Sequence, residues 1–559
     1  MVREDDQFNL LKSGRSWYGS IFDLNLDQNF GFPIPGLVPN SRVDIWAEVV
    51  TSGRQPSGGG AFSTWSLSAN SNQLVSVNNQ GGYYVTWLDI AQGSTLLGTT
   101  TASNSENVDI NLQFNKKGYS PYRGYLDFIR LQVKRNLALY NNQVVFRVLE
   151  SSTKNIVAYN IGGVPDNLRV WDITNYDQPV AMRVNGSSSF TDNTNGLLKE
   201  YLGFTGSNFP VPSMAIKVAN QNLKGLPSSD LVIIANPILL EQAERLASFR
   251  RTNDGLRVSV VTTEQIYNEF STGKQDLTAI RDFVRQHYLK NNQELKYVLL
   301  FGAGSYDYKN RIRGNSNLVP IYQSDESFSP INSYCSDDYI AMLDSAEGLW
   351  RFGEIDKLDI GVGRLPAHNI EEAKQLVDKL VKYEDPITLG AWRTQMTFAA
   401  DDGDQNLHAN SAESAIAQIV NENTPFQIRK LFLGAFEQTV TPAGETSPAF
   451  QEELRRSLAE GSLTFNYSGH GNEDQLTDEL SLDRSTIRSL RNMNNMPFFV
   501  TATCSFGRYD DPENVSGGEE VVLAPQGGGI GALVSNRLVF ANNNDIINLA
   551  FSKEVSRKV

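Results

Sequence analysis

Hydrophobic residues along this chain follow two different rhythms. Over the first 225 or so residues apolar side chains alternate with polar ones, as at Val108, Ile110, Leu112 and Phe114, then at Leu126, Phe128, Leu131 and Val133. A compact apolar run follows at Val144-Val145-Phe146-Arg147-Val148. A period of two is that of a half-buried strand. The spacers are rich in Asn, Ser and Gly, as in Ser52-Gly53-Arg54-Gln55-Pro56-Ser57-Gly58-Gly59-Gly60. Short strands joined by such turns predict a sandwich or a related all-β domain.

Near Leu226-Pro227-Ser228-Ser229 the rhythm changes. Wholly apolar runs, Leu231-Val232-Ile233-Ile234, Val258-Ser259-Val260-Val261 and Tyr297-Val298-Leu299-Leu300-Phe301, now alternate with amphipathic stretches from Ile238 to about Arg251 and from Leu277 to Tyr288. That succession predicts a parallel sheet with helices on both faces. Asn369 and Glu372 make a capping-box pattern before a stripe of Ala373, Leu376, Val377, Leu380 and Val381, and Pro386 follows its end. A second set begins at Met396-Thr397-Phe398-Ala399-Ala400 and continues through a helix around Ala409 to Val420. The predicted organisation is a β-rich domain over 1–225, an α/β subdomain over 226–392 and a second α/β subdomain over 393–559. The stretch from Gly304 to Leu358 is loop-rich, and no repeat of fixed period is present.

Two apolar runs of the second set break into chemistry. One ends in Tyr467-Ser468-Gly469-His470-Gly471, the other in Phe498-Phe499-Val500-Thr501-Ala502-Thr503-Cys504-Ser505-Phe506-Gly507. Neighbouring parallel strands that stop at one edge deliver His470 and Cys504 side by side, where open α/β sheets carry their sites. A thiolate attacks and an ordinary thiol supplies little of it at neutral pH, so an imidazole partner is what cysteine-peptidase chemistry needs. Flanking glycines allow close backbone approach, which would let the N–H groups of Gly471 and Cys504 face an oxyanion. Taken alone, Cys504 reads more plainly as a small core residue. The run Asp401-Asp402-Gly403-Asp404 follows a strand end at the same edge. Such a carboxylate can orient an imidazole, and an oxygen-rich loop equally suits calcium. The remaining histidines, His287, His368 and His408, lack a strand-end glycine context, and His287 is expected to cap its helix or face solvent.

Composition narrows the classes. Lys and Arg number 49 against 63 Asp and Glu, a net charge of -14, which disfavours a nucleic-acid partner. Two cysteines, Cys335 and Cys504, exclude a disulfide scaffold and a Cys/His zinc cluster. A single bridge between them is the competing expectation, and it would leave no nucleophile. Gly273-Lys274 is followed by Gln275 and is no P-loop. Gly527-Gly528-Gly529-Ile530-Gly531 reads as a tight strand entry. Asn466 stands where a nucleophile elbow around Ser468 requires glycine, leaving a Ser468 hydrolase as a lesser reading. The first residues do not read as a secretory signal, and no stretch approaches the roughly 20 apolar residues of a membrane helix.

Gly469-His470-Gly471 with Ala502-Thr503-Cys504-Ser505-Phe506-Gly507 resembles the gingipain-type cysteine peptidases. The likeness extends through Asp230-Leu231-Val232-Ile233-Ile234-Ala235-Asn236-Pro237, Val260-Val261-Thr262-Thr263-Glu264-Gln265-Ile266-Tyr267, Tyr297 to Tyr308 and Ile360-Gly361-Val362-Gly363-Arg364. It covers roughly 228 to 559 and implies Cys504 as nucleophile, His470 as acid/base, and the amides of Gly471 and Cys504 as the oxyanion hole. Asp402 matches the family's assisting acid, with Asp401 as the alternative. The acid that confers arginine specificity has no counterpart, Gln405 being nearest. The long β-rich start, with Trp17-Tyr18-Gly19 and Phe22, is similar to the family's sortase branch in type IX secretion. That branch implies action at the outer-membrane surface, with exported cargo bearing a C-terminal signal domain as substrate and an anionic lipopolysaccharide amine as acceptor. It also implies an outer-membrane β-barrel shuttle as partner. No cofactor is required, and a structural calcium is left open. The family pattern further implies a leader before Met1 and more chain after Val559, so the sequence reads as a fragment. The alternative from another class is a non-catalytic surface adhesin or scaffold on a relic peptidase fold.

Overall fold

The computed structural model describes every residue except 57–61, 84, 86, 165–166, 208, 210, 351–355, 422–424, 443, 480 and 558–559. The Gly-rich part of the spacer at 52–60 and the last two residues therefore lie outside the described residues. The chain forms two compact units, Met1–Phe8 with Trp17–Ala219, and Asn9–Ser16 with Asn220–Val559.

The first unit is antiparallel β throughout and has two cores. In one, a five-stranded sheet centred on Arg42–Ser52 faces a four-stranded sheet ordered Asp27–Pro33, Asn107–Asn115, Ser63–Ala69 and Asn72–Asn79. Val108, Ile110, Leu112 and Phe114 all point into this core, as their alternation predicts, and Trp65 packs there with ring centroids 4.6 Å from Phe114 and 4.9 Å from Phe22. Along Arg123–Val133 the alternation shifts phase. A bulge at Asp127, opposite Glu48 and Val49, puts Leu126, Ile129 and Leu131 inside and leaves Phe128 half-buried against Trp46. The second core gathers Tyr159, Phe190 and Tyr201 between a four-stranded and a three-stranded sheet formed by residues 143–204. The apolar run at 144–148 is only partly strand: it ends at Phe146, and a 3-10 turn over Leu149–Thr153 follows.

The second unit holds two all-parallel sheets. The four-stranded sheet has the order Val258–Thr262, Leu231–Ala235, Tyr297–Phe301, Gly361–Leu365. Its strands are apolar on both sides because both faces are covered. Ile233 and Ala235 pack with Leu246 and Leu376 of helices Leu240–Asn253 and Ile370–Tyr383. Val232 and Ile234 pack with Ile266, Ile280 and Phe283 of helices Thr263–Phe270 and Leu277–Lys290. The five-stranded sheet has the order Gln427–Phe432, Gln395–Ala400, Thr464–Ser468, Phe498–Ala502, Gly531–Val534. Helix Pro448–Glu460 covers one face; helices Leu407–Asn421 and Ala541–Arg557 cover the other.

Two local expectations are corrected. Asn369 does accept from the Glu372 N–H at 3.0 Å, but the Glu372 carboxylate reaches the N–H and ring of His368 and the side-chain amide of Asn369, not the Asn369 backbone N–H that would close the box. His287 is buried, with its ring stacked on Phe283, and desolvation holds its pKa down. It neither caps the helix end as a cation nor faces solvent.

Candidate active site

Sheet register brings the predicted residues to one rim. Ala400, Ser468 and Ala502 are paired across three adjacent strands. The ladder continues one residue further, with the Asp401 N–H donating to the Ser468 carbonyl at 3.0 Å and the Gly469 N–H to the Ala502 carbonyl at 3.2 Å. Asp402, His470 and Cys504 thus occupy equivalent positions two residues past the paired ends, on strands about 5 Å apart.

The imidazole is held from several directions. Its residue's own N–H donates to Asp401 Oδ2 at 2.9 Å, and its carbonyl accepts from the Tyr467 hydroxyl at 2.6 Å and the Thr477 N–H at 3.1 Å. Nε2 of His470 lies 3.1 Å from Asp404 Oδ2. The carboxylate on the ring is therefore Asp404, not Asp402, whose Oδ2 accepts from Gln438 Nε2 at 2.5 Å. Asp404 reaches the ring because Asp404, Gln405 and Asn406 are three successive left-handed residues, with φ of 53°, 56° and 68°. That conformation costs about 1–2 kcal/mol for an ordinary residue and less for Asp or Asn. Gln405 is an exposed part of this turn.

Glycines on either side of His470 allow close packing. A Cβ on Gly469 would lie 2.3 Å from the Tyr467 hydroxyl oxygen, and one on Gly471 would lie 2.6 Å from Thr503 Oγ1. Gly471 bridges to Leu476, flanked by the bonds Thr477 N–H to His470 O and Asn472 N–H to Gln475 O. In that pattern the N–H of Gly471 itself points out of the ladder, as an oxyanion donor must.

Cys504 is half-buried and its thiol donates to the Val539 carbonyl at 3.6 Å. Among the described residues no hydrogen bond joins this sulfur to His470. Cys335 is also free, so the competing expectation of a Cys335–Cys504 bridge is not met. Ser505, immediately after the thiol, is left-handed at φ 54°. Its N–H donates to the Arg537 carbonyl at 3.0 Å, and the Gly507 N–H to that of Ser535 at 2.9 Å. Gly507 admits no side chain, since a Cβ would fall 2.0 Å from Val534.

Several supports were not legible from motifs. Asn544 and Asn548, buried on helix Ala541–Arg557, donate to the Thr503 carbonyl and to Asn466 Oδ1. Arg537 is buried in a two-pronged pair with Asp510 at 3.0 and 2.7 Å and donates to Ser13 Oγ from the Asn9–Ser16 segment. Burial would raise the Asp510 carboxyl, yet the Arg537 charge holds it below the usual range. His408 stands with its ring centroid 5.0 Å from that of His470. The only sequence signal for it was its position one residue before the predicted 409–420 helix. Burial, then the neighbouring His470, lowers the pKa of His408.

A parallel sheet ending in this His and this Cys, with a carboxylate behind the imidazole, is the layout of a cysteine peptidase, and the comparisons agree. The model of peptidase family C25 matches residues 225–558, and the chain belongs to that family. Gingipain R2 of Porphyromonas gingivalis (strain ATCC 33277) is 25% identical over 260 residues, 46% of this chain and 29% of that relative. Gingipain R1 of P. gingivalis is 25% identical over 260 residues, 46% of this chain and 22% of that relative. The chain therefore spans less than a third of the length of these curated relatives. Among solved structures it is similar to dimeric latent PorU from P. gingivalis, with a TM-score of 0.60 and 24% identity over 70% of this chain and 38% of that one, a likeness of fold. No helix among the described residues is long and apolar enough to cross a membrane.

Proposed function

We propose that this chain carries the catalytic part of a cysteine endopeptidase of the sortase kind, with a His470–Cys504 dyad. The observation that carries the reading is the equal register of His470 and Cys504 on adjacent strand ends, with Asp404 3.1 Å behind Nε2. A carboxylate there favours the proton on Nε2, leaving the Nδ1 lone pair as the base. His470 takes the thiol proton as Cys504 turns from Val539; the thiolate attacks the scissile carbonyl, and the amides of Gly471 and Cys504 hold the oxyanion. His470 returns the proton to the leaving amine, the C–N bond breaks, and a thioester remains on Cys504. Water then gives hydrolysis; a competing amine gives a new amide.

Membership of the peptidase family together with the PorU-like fold supports a role at the outer-membrane surface. There the enzyme removes the C-terminal secretion signal of type IX cargo, attaches the cargo to an amine of anionic lipopolysaccharide, and works beside an outer-membrane β-barrel shuttle. The bond from the Cys504 thiol to Val539 favours a second reading, a surface adhesin or scaffold in which this thiol is inert. Intact-mass analysis of a signal-bearing cargo, incubated with the protein with and without an added amine, tests both. The sortase reading expects a shortened product, and with amine a product heavier by that amine less water. Unchanged cargo in both arms supports the scaffold; cleavage with no amine adduct reduces the enzyme to a hydrolase.

A further inference from the structure

Beside the Cys504 strand end, four side chains from separate segments converge. Asp401 follows strand Gln395–Ala400, Asp404 sits on the left-handed turn, His408 is the second residue of helix Leu407–Asn421, and His470 follows strand Thr464–Ser468. Donor atoms of Asp401, His408 and His470 all lie within 4.8 Å of one another. Nε2 of His470 and Nε2 of His408 approach the same Asp404 Oδ2, at 3.1 and 3.5 Å.

Two independent features mark this as a cradle for a ligand. The His408 side chain is only 9% exposed, and its Nε2 is buried without a hydrogen-bond partner although it points at the cluster. Buried polar atoms are rarely left so without cause. Gly403 also keeps the space open: a Cβ there would lie 3.3 Å from His470 Nε2 and 3.9 Å from Asp401 Oδ1.

We propose that Asp401, His408 and His470, with Asp404 as a fourth donor, bind a divalent cation of the zinc class, and that its binding inhibits the peptidase. Two imidazoles with carboxylates are a nitrogen and oxygen set suited to zinc, whereas calcium takes six to eight oxygens. Tetrahedral zinc at its usual bond lengths sets donors about 3.4 Å apart, a spacing that small rotations reach, since Asp404 is exposed. The inhibitory consequence rests on His470 being the base. A cation on Nε2 takes that lone pair and leaves the ring proton on Nδ1, so Nδ1 cannot accept the proton of Cys504.

Calorimetric titration of the full chain carrying Cys504→Ala with zinc chloride tests the site, because the thiol is gone and all four donors remain. One site of micromolar or tighter Kd is expected, weakened at least thirtyfold in both His408→Ala and His408→Gln backgrounds that keep the parent circular dichroism. No binding, or equal binding after either substitution, overturns the site. In the thiol-bearing chain, zinc-buffered assays expect an inhibition midpoint that matches the calorimetric Kd and rises at least tenfold in His408→Gln. Binding without inhibition overturns the inhibitory role. The calorimetry needs no turnover, so a failed peptidase reading is seen separately from a failed metal site.

Discussion

At the carboxyl ends of the four-stranded sheet, charge is neutralised by partners. The side chain of Arg364 is buried, donates to both Asp337 oxygens at 2.8 and 2.7 Å, and donates to the Gly302 and Val319 carbonyls. The cysteine of that region, Cys335, is buried, its sulfur accepts from Asn536 at 3.5 Å, and burial pushes its thiol well above the ordinary range. The five-stranded sheet follows the same construction, apolar strands under helices, and finishes otherwise. Its ends carry an imidazole that is half exposed, a half-buried thiol and a carboxylate at the surface. The five-stranded sheet also buries a paired Arg537 and Asp510 past its ends, so the two sheets differ in that only the second leaves some strand-end polar groups open, as chemistry needs.

The two thiols give the largest test of that difference. Cys504→Ala is expected to lower kcat/KM about a thousandfold or more, as loss of a nucleophile does, while Cys335→Ala leaves it within about threefold. Iodoacetamide at mildly acidic pH, followed by peptide mass mapping, should modify Cys504 at least about a hundredfold faster than Cys335. Equal rates would erase the contrast.

A smaller contrast lies within the acidic loop. Asp404 touches the His470 ring, whereas Asp402 is engaged by Gln438. Asp404→Asn is therefore expected to lower kcat/KM by about ten- to a hundredfold, since a positioned partner of the base is lost. Asp402→Asn should stay within about threefold, and the reverse order would restore Asp402 to the role the family resemblance implies.

Most of the parallel strands, and the rim that carries both His470 and Cys504, were legible because apolar runs and glycine breaks are local signals, whereas the edge strand Gln427–Phe432, with Arg429 and Lys430 in it, was not. The choice of Asp404 over Asp402 was not. It depends on three left-handed residues, a backbone path that Asp-Gln-Asn does not announce. The phase shift at Asp127 is half visible in the sequence, since Leu126 and Phe128 are out of step with Leu131 and Val133. His408 escaped because only the fold sets the first turn of its helix against another strand's histidine. Nor could composition tell that residues 143–204 wrap a core of their own, because both β cores share one alternation and one kind of turn.

The smallest effect concerns Glu519, where one sheet's helix meets the other's. Its carboxyl accepts from the Ser516 N–H at 2.8 Å and the Ser516 hydroxyl at 2.9 Å at the start of helix Gly517–Leu523. His368 Nε2, from just before helix Ile370–Tyr383, lies 3.7 Å away. Burial pushes the Glu519 carboxyl up to about 7, against the pull of Ser516 and His368. With its pKa raised on folding, the folded chain keeps a proton that the unfolded chain releases. Stability is therefore greatest below the ordinary carboxylate range and falls as pH rises through 7. The loss is about 1–3 kcal/mol, the lower figure allowing for an ion pair with charged His368. Glu519→Gln keeps an acceptor for both Ser516 donors and removes the titration. Its Tm relative to the parent should accordingly rise by a few degrees between pH 5 and pH 8. A difference that is flat across that interval would mean that Glu519 is ionised in the folded protein, and that the junction between the two sheets is held by an ion pair with His368.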